Sequence, residues 1–174
     1  MSAAVVLSTE DLRAVAAFAA GSAETVLGIF EADQPDDPRP RDAIDAAWAF
    51  ARGGERGKAL RDTAWAALKA ARNAHTAAGR EAARAGMAAA GAAYLHPLAK
   101  ATQVKHILGA GAHAARAAEL VAGELAADHL ERTVRRATPL VVDVLGRYPD
   151  APDGGGRVGE LTRLLDAALR ARPA

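Results

Sequence analysis

Apolar residues recur at steps of three and four along nearly the whole chain, and most of them are alanine. This spacing places them on one face of an α-helix, and the strict alternation typical of a half-buried strand does not occur. At the first such segment Ser8 precedes two acids, a pattern typical of a helix N-cap. The pattern predicts seven helices, at about 9–31, 40–52, 56–78, 80–95, 98–123, 125–147 and 157–171.

Proline and glycine set the predicted boundaries between these helices. Three prolines fall within residues 33–41, where they remove backbone donors and push preceding residues out of helical geometry, so this segment is predicted to be a loop. Gly53 and Gly54 end the second helix. Pro139 lies inside the sixth helix and is predicted to kink it or to divide it in two. Residues 149–156 are predicted to form a flexible connector to the last helix.

The succession of helices predicts an all-α fold. We expect one domain over residues 1–174, built as a helical bundle or as a two-layer stack of helical hairpins. The composition agrees, because 48 residues are Ala, the strongest helix former, and only 4% are aromatic. Alanine lets helix axes approach closely, so few large side chains are left to fill the core. Both tryptophans, Trp48 and Trp65, are therefore predicted to be mostly buried in it.

The loop at 33–41 is predicted to be ordered, although it lies outside the helices. Its prolines restrict the unfolded chain, so fixing the loop costs less entropy than usual. Asp36 and Asp37 are placed to accept hydrogen bonds from free amides at the start of the second helix. Arg39 or Arg41 is predicted to pair with an acid of another helix, and the four charged side chains could also form a binding surface.

Charge and cysteine content narrow the class of partner. The 22 basic and 21 acidic residues nearly balance, with no basic run or tail, so nucleic-acid binding is not expected. The chain has no cysteine, which excludes a disulfide scaffold and a thiolate zinc site. The N-terminus lacks the regions of a signal peptide, and the longest apolar run, about 85–95, is too short to span a membrane. We therefore expect a cytoplasmic protein without membrane contact.

Motifs that would identify an enzyme are absent. The segment Gly53–Lys58 lacks the spacing and the Ser or Thr of a phosphate-binding loop, and no serine lies in Gly-x-Ser-x-Gly. The histidines at 75, 96 and 106 remain as candidates for a ligand site, and His113 shares a helix face with His106. No histidine shows the spacing of the helical zinc or di-iron motifs, so no metal and no cofactor is predicted.

Two stretches resemble a bacterial family of putative immunity proteins. The first runs from Phe30 to Arg41 and continues through Ile44 to the helix that carries Trp48. The second, residues 94–109, is similar to the histidine-bearing central helix of that family. The resemblance covers about 10–125. It implies an all-helical domain that acts as an antitoxin, and it implies no catalytic residue.

Three functions remain open at this stage. The first is a non-enzymatic immunity-like protein that binds and neutralises a cognate protein toxin, with the loop at 36–41 as its surface. The second is an enzyme that binds a small molecule or a metal at the histidines. The third is a helical module for oligomerisation, because faces rich in Ala and Gly pack between subunits as well as within one.

Overall fold

The computed structural model describes residues 3–173. In this range it contains eight α-helices, two short 3-10 helices (Ala92–Tyr94 and Ala101–Gln103) and no strand beyond one isolated bridge, between Ala4 and Leu98. The all-α prediction is confirmed. The helices are α1 (Thr9–Asp33), α2 (Arg39–Ala51), α3 (Lys58–Asn73), α4 (Ala77–Gly91), α5 (Val104–Val121), α6 (Leu125–Arg136), α7 (Pro139–Gly146) and α8 (Gly156–Arg170).

The helix α4 lies at the centre and contacts α1, α2, α3 and α5. Its buried residues are small apart from one glutamate: Gly79, Ala82, Ala83, Ala85, Gly86, Ala89 and Ala90. The helix α5 buries six alanines and the glycines Gly109 and Gly111, together with three larger residues near its start, Val104, Ile107 and Leu108. The small side chains let the backbones approach closely. Large fillers such as Phe30, Ile44, Leu108 and Leu145 are therefore placed around this central contact.

The N-terminus of α1 is held by a capping box and by a buried ion pair. Ser8 accepts a hydrogen bond from the amide of Asp11, whose carboxylate accepts one from the amide of Ser8. Asp11 is only 7% exposed, and Arg147 at the end of α7 donates to it at 2.7 Å. This bond lowers the pKa of Asp11, although burial opposes the shift. The pair joins the first turn of α1 to the end of α7.

Two predicted breaks are confirmed. Pro139 is the first residue of α7, and Thr138 caps that helix by accepting from the amide of Val141, so the predicted sixth helix is divided in two. Arg172 donates to two carbonyl oxygens at the end of α6. Around Pro97 the chain leaves helical geometry and pairs with the N-terminal segment, where Val5 donates to the carbonyl of Pro97.

The predicted end of the third helix is wrong by five residues, because α3 ends at Asn73 and not at 78. Thr76 accepts a hydrogen bond from the amide of Gly79 and caps α4, so residues 77 and 78 belong to the next helix instead. Asp33, at the end of α1, accepts from the amides of His75 and Thr76. Burial opposes ionisation of Asp33, but these bonds outweigh it and lower the pKa.

The helix α8 buries Leu161, Leu165 and Leu169, which lie one turn apart on one face. Leu164 and Ala168 of the same helix are exposed. Val121, the last residue of α5, is 59% exposed. The connector at 149–156 accepts hydrogen bonds from arginines of α8 at the carbonyls of Pro149, Pro152 and Gly154, and its flexibility stays a prediction.

One described helix, α1, is long and apolar enough to cross a membrane by length and composition alone. Of its most apolar 18-residue window, 56% is buried within the protein. A core helix of a folded domain has the same composition.

We expect opposite effects from alanine at two neighbouring glycines of α5. A Cβ at Gly111 would lie 2.9 Å from Thr133 Cγ2 and 3.3 Å from a methyl of Leu165, whereas a Cβ at Gly109 meets only Ala88, at 3.6 Å. Gly111→Ala should lower the free energy of unfolding by about 1–3 kcal/mol through overpacking. Gly109→Ala should raise it by up to about 1 kcal/mol through helix propensity. Urea unfolding followed by circular dichroism measures both, and equal effects would contradict this packing.

The ion pair between Glu119 and Arg157 of α8 should make the free energy of unfolding depend on pH in the acidic range. Arg157 of α8 and Arg116 donate to Glu119, and these bonds lower its pKa from 4.5 to about 2. A carboxylate with a lowered pKa stabilises the fold fully above its unfolded pKa, and this contribution is lost as pH falls from about 4.5 to about 2. Glu119→Gln should therefore destabilise at pH 7 and make little difference near pH 2. Glu131→Gln, at an exposed pair within α6, is the control and should change little at either pH.

Candidate functional site

The candidate site is a groove between α3, α4 and α5 that is lined by two histidines and a lysine. We call it the Trp65 groove. It encloses about 440 Å³, within the range of natural ligand sites. Its wall is largely apolar, and two imidazoles and one ammonium group stand on it. The lining residues are Ala64, Trp65, Leu68, Met87, Ala88, Gly91, Lys105, His106, Gly109 and His113.

The indole of Trp65 stands at this groove in solvent, with 64% of the residue exposed. The prediction that it is buried is wrong. The buried positions of α3 lie on one face of the helix: Leu60, Ala67, Ala70 and Ala71. The helical period places Trp65 on the opposite, outer face. Among residues 3–173 no other aromatic side chain is exposed. An isolated exposed tryptophan beside an apolar groove is typical of a binding surface.

The second tryptophan behaves differently. Trp48 is half-buried and packs against the core, and its Nε1–H donates to a carboxylate oxygen of Glu24 at 2.7 Å. The predicted burial therefore holds in part for Trp48.

His106 is held at one end of the Trp65 groove in a defined tautomer. Its Nδ1 lies 3.1 Å from the carbonyl oxygen of Gly91, which only accepts, so Nδ1 carries the proton. Burial lowers the pKa of His106, and the charges of Lys105 and His96 act in the same direction against the bond to Gly91. The ring is therefore neutral at pH 7, and Nε2 makes no hydrogen bond within residues 3–173.

His113 lines the same groove above a buried carboxylate. Its Nδ1 lies 2.7 Å from Glu81 Oε2, and Arg84 donates to the other oxygen of Glu81 at 2.6 Å. Glu81 is 8% exposed. Burial opposes its ionisation, but the bonds and charges of His113 and Arg84 together outweigh this and lower its pKa. A fixed negative charge thus orients the imidazole from below.

The two imidazoles are turned toward opposite ends of α4. Gly91 and Glu81 are ten residues apart on one helix, which corresponds to about 15 Å. The histidines are anchored to these two points, so they do not converge on one ion. In the described part of the chain, no three side chains of His, Asp or Glu are grouped as a metal site would require.

The predicted site histidines are not brought together. His75 lies before the first turn of α4, where its Nδ1 is 3.1 Å from Gln34 Nε2. His106 lies at the other end of that 15-residue helix. His96 is exposed, and its backbone binds Gln103 and Tyr148. Of the other two, His96 is the one whose charge acts on His106. Whether any of the three binds a ligand stays a prediction.

The surface around the groove is cationic. The helix α3 carries Lys58, Arg61, Lys69 and Arg72 against one acid, which is paired with Lys58. Arg61 lies over the ring of Tyr94 at 5.9 Å. Lys69, Arg72 and Lys105 form no ion pair with any residue in the range 3–173. Because the whole chain has a net charge of only +1, this face is distinctly positive.

The charges of the loop at 33–41 are largely satisfied internally, and its order in solution stays a prediction. Asp37 accepts from the amide of Arg39 at 3.1 Å and from its guanidinium at 2.6 Å, and this pairing lowers the pKa of Asp37. Arg41 pairs with Glu31 of α1, so the predicted bond to an acid of another helix is confirmed. Asp36 is exposed and makes no such bond in the described structure. The loop therefore fastens α1 to α2.

We expect His106 to be neutral at pH 7 with its proton on Nδ1. Long-range ¹H–¹⁵N spectra of the imidazole distinguish the two tautomers and the cation. The titration midpoint should lie below 6.5, because burial disfavours the cation. The urea-unfolded protein supplies the reference midpoint. A proton on Nε2, or a midpoint at or above that reference, would contradict the geometry.

Comparison with known proteins identifies the family. The family model described as Imm-5 like putative immunity protein matches residues 6–138. The match extends the resemblance inferred over 10–125 and contains the whole Trp65 groove. No curated protein and no solved structure matches the chain. Because the family model covers most of the sequence, the chain belongs to the Imm-5 like putative immunity protein family.

Proposed function

We propose that this protein is the immunity component of a bacterial toxin–immunity system and neutralises its cognate toxin by binding it. The family supports a protein partner. The observation that carries the proposal is the exposure of Trp65, the one exposed aromatic side chain of the described residues, at an apolar groove. Tryptophan, tyrosine and arginine are enriched among the residues that supply most of the binding energy at interfaces, typically from well-packed pockets.

The Trp65 groove suits recognition better than the loop at 36–41. In that loop Asp37 and Arg39 satisfy each other, and Arg41 is held by Glu31. A partner would have to break these pairs before it could use the same groups. The side chains of Trp65, Lys69 and Lys105 form no hydrogen bond or ion pair within residues 3–173 that a partner would have to break.

The charges around the groove favour an acidic partner. Lys69, Arg72 and Lys105 lie on α3 and α5 without an acid partner within residues 3–173, whereas Glu81 is covered by His113 and Arg84. Positive potential of this kind accelerates association with a negative surface and disfavours positive ones. We therefore assign the toxin an acidic surface with an apolar pocket that receives the indole.

The proposal places the protein in the cytoplasm and gives it no catalytic role. A second copy of the chain is the alternative occupant of the groove. It is disfavoured because two copies would bring the unpaired cations of α3 together.

The direct test is Trp65→Ala measured against the toxin encoded beside this gene. Because the side chain is exposed, the free energy of unfolding should change by under about 0.5 kcal/mol. Loss of a central anchor should weaken binding by about 2 kcal/mol or more, roughly 30-fold. Isothermal titration calorimetry gives the affinity, and co-expression with the toxin gives protection of growth.

Leu164→Ala is the matched control, because Leu164 is also an exposed apolar residue, 52% exposed, but lies on α8 outside the groove. It should leave affinity and protection unchanged. If Trp65→Ala binds as tightly as the control, the groove is not the interface. If the unaltered protein neither binds nor protects against the linked toxin, the immunity role itself fails.

A further inference from the structure

A second groove lies along α1, between α2 and the junction of α6 with α7, and we call it the Trp48 groove. It encloses about 560 Å³. Its floor is apolar, and at its edges stand one indole, one carboxylate and one guanidinium. The lining residues are Ala14, Ala17, Phe18, Gly21, Glu24, Thr25, Trp48, Arg136 and Thr138.

The guanidinium of Arg136 is the unusual feature of this groove. The residue as a whole is half-buried, and its guanidinium makes no hydrogen bond and no ion pair with any residue in the range 3–173. The other half-buried arginines of that range all bond to a carbonyl or a carboxylate: Arg13, Arg39, Arg84, Arg116, Arg147, Arg163, Arg170 and Arg172. Arg136 alone has its fork of donors unused.

The surroundings hold this group in an unfavourable environment. Burial lowers the pKa of Arg136, and the nearby charge of Arg132 acts in the same direction. The charge of Glu24 opposes this shift, but that carboxylate accepts from Trp48 Nε1 and does not reach Arg136 within ion-pair distance. Partial desolvation of a guanidinium that forms no hydrogen bond within the protein is unfavourable. An anion that enters the groove would relieve this cost.

The groove is kept open for the arginine by a glycine. A Cβ at Gly21 would lie 3.0 Å from Arg136 Cδ and 3.8 Å from the indole of Trp48. Glycine inside a helix costs about 1 kcal/mol relative to alanine. At Gly21 this cost leaves room that the Cβ of any other residue would fill. The side chain of Arg136 occupies that space.

The indole gives the groove an aromatic wall of fixed orientation. Glu24 holds Nε1 of Trp48, and the guanidinium of Arg52 lies over the ring at 4.9 Å. Phe18 and the alanines of α1 complete an apolar surface. A flat apolar body fits against this wall while an attached anion reaches Arg136.

We propose that the Trp48 groove is a binding site for an aromatic carboxylate, which pairs with the guanidinium of Arg136 and lies against Trp48. A carboxylate matches the planar fork through two parallel hydrogen bonds. The carboxylate of Glu24 at the same groove disfavours a second negative charge, so a monoanion binds better than a phosphate dianion. This site is separate from the Trp65 groove and does not depend on toxin binding.

The test uses the full chain with Trp65→Phe, so that Trp48 gives the single indole N–H signal in a ¹H–¹⁵N spectrum. Titration with sodium benzoate should shift this signal to saturation. Acetate, which lacks the aromatic body, should bind at least about ten-fold more weakly. Phenyl phosphate is the third probe, and tighter binding of it than of benzoate would overturn the carboxylate assignment.

Two substitutions at Arg136 decide the role of the guanidinium. Arg136→Gln should weaken benzoate binding at least about ten-fold, because a hydrogen bond to a charged group typically contributes that much to an equilibrium constant. Arg136→Lys keeps the charge without the fork and should also weaken binding. Arg135→Gln, on the same helix, exposed and outside the groove, is the control and should leave affinity within about two-fold. Unchanged affinity in both Arg136 variants, or no saturable shift with any probe, would overturn the proposal.

Discussion

The structure depends on the close contacts that α4 and α5 make with their neighbouring helices through alanine and glycine. At Gly86 a Cβ would come within 3.0 Å of the carbonyl of Pro40, and at Gly111 within 2.9 Å of Thr133, so there is no space for larger residues. Close packing gives many dispersion contacts with little apolar volume. The consequence is that large side chains lie at the edges of the helix contacts, and two of them, Trp48 and Trp65, border grooves.

A core of small residues leaves the helix ends to be fixed by polar groups. Arg147 reaches the buried Asp11, Asp33 caps the turn before α4, and Asp166 accepts from the amide of Ala151 and from Arg170. Except for the bond from Arg170, which lies within α8, these bonds join segments that are distant in sequence, and they satisfy donors that would otherwise be left to solvent. The unpaired Arg136 and the exposed Trp65 border the two grooves and are features that packing alone does not explain.

The sequence was sufficient to predict the helices and most of their ends, because caps and prolines act locally. The predictions hold at Ser8, at Pro139 and at the prolines of the 33–41 loop. It was insufficient for Trp65, because composition indicates that large residues are needed in the core but not which side of α3 is covered. The Trp65 groove joins residues 64, 87 and 106, which only tertiary packing brings together. The pairing of Glu81 with His113, 32 residues apart, carries no sequence signal. Similarly, an arginine without a partner cannot be recognised until every neighbour is placed.

Hydrogen–deuterium exchange with and without the linked toxin tests the central claim, that the face formed by α3 and α5 receives the partner. Amides from both helices can be followed as separate peptides, and the exposed ends of α6 and α8 provide internal references. The account predicts slower exchange on complex formation in residues 58–73 and 104–113, and unchanged exchange in residues 34–41. Protection confined to the 34–41 loop or to the α1–α2 side, with α3 unchanged, would contradict it.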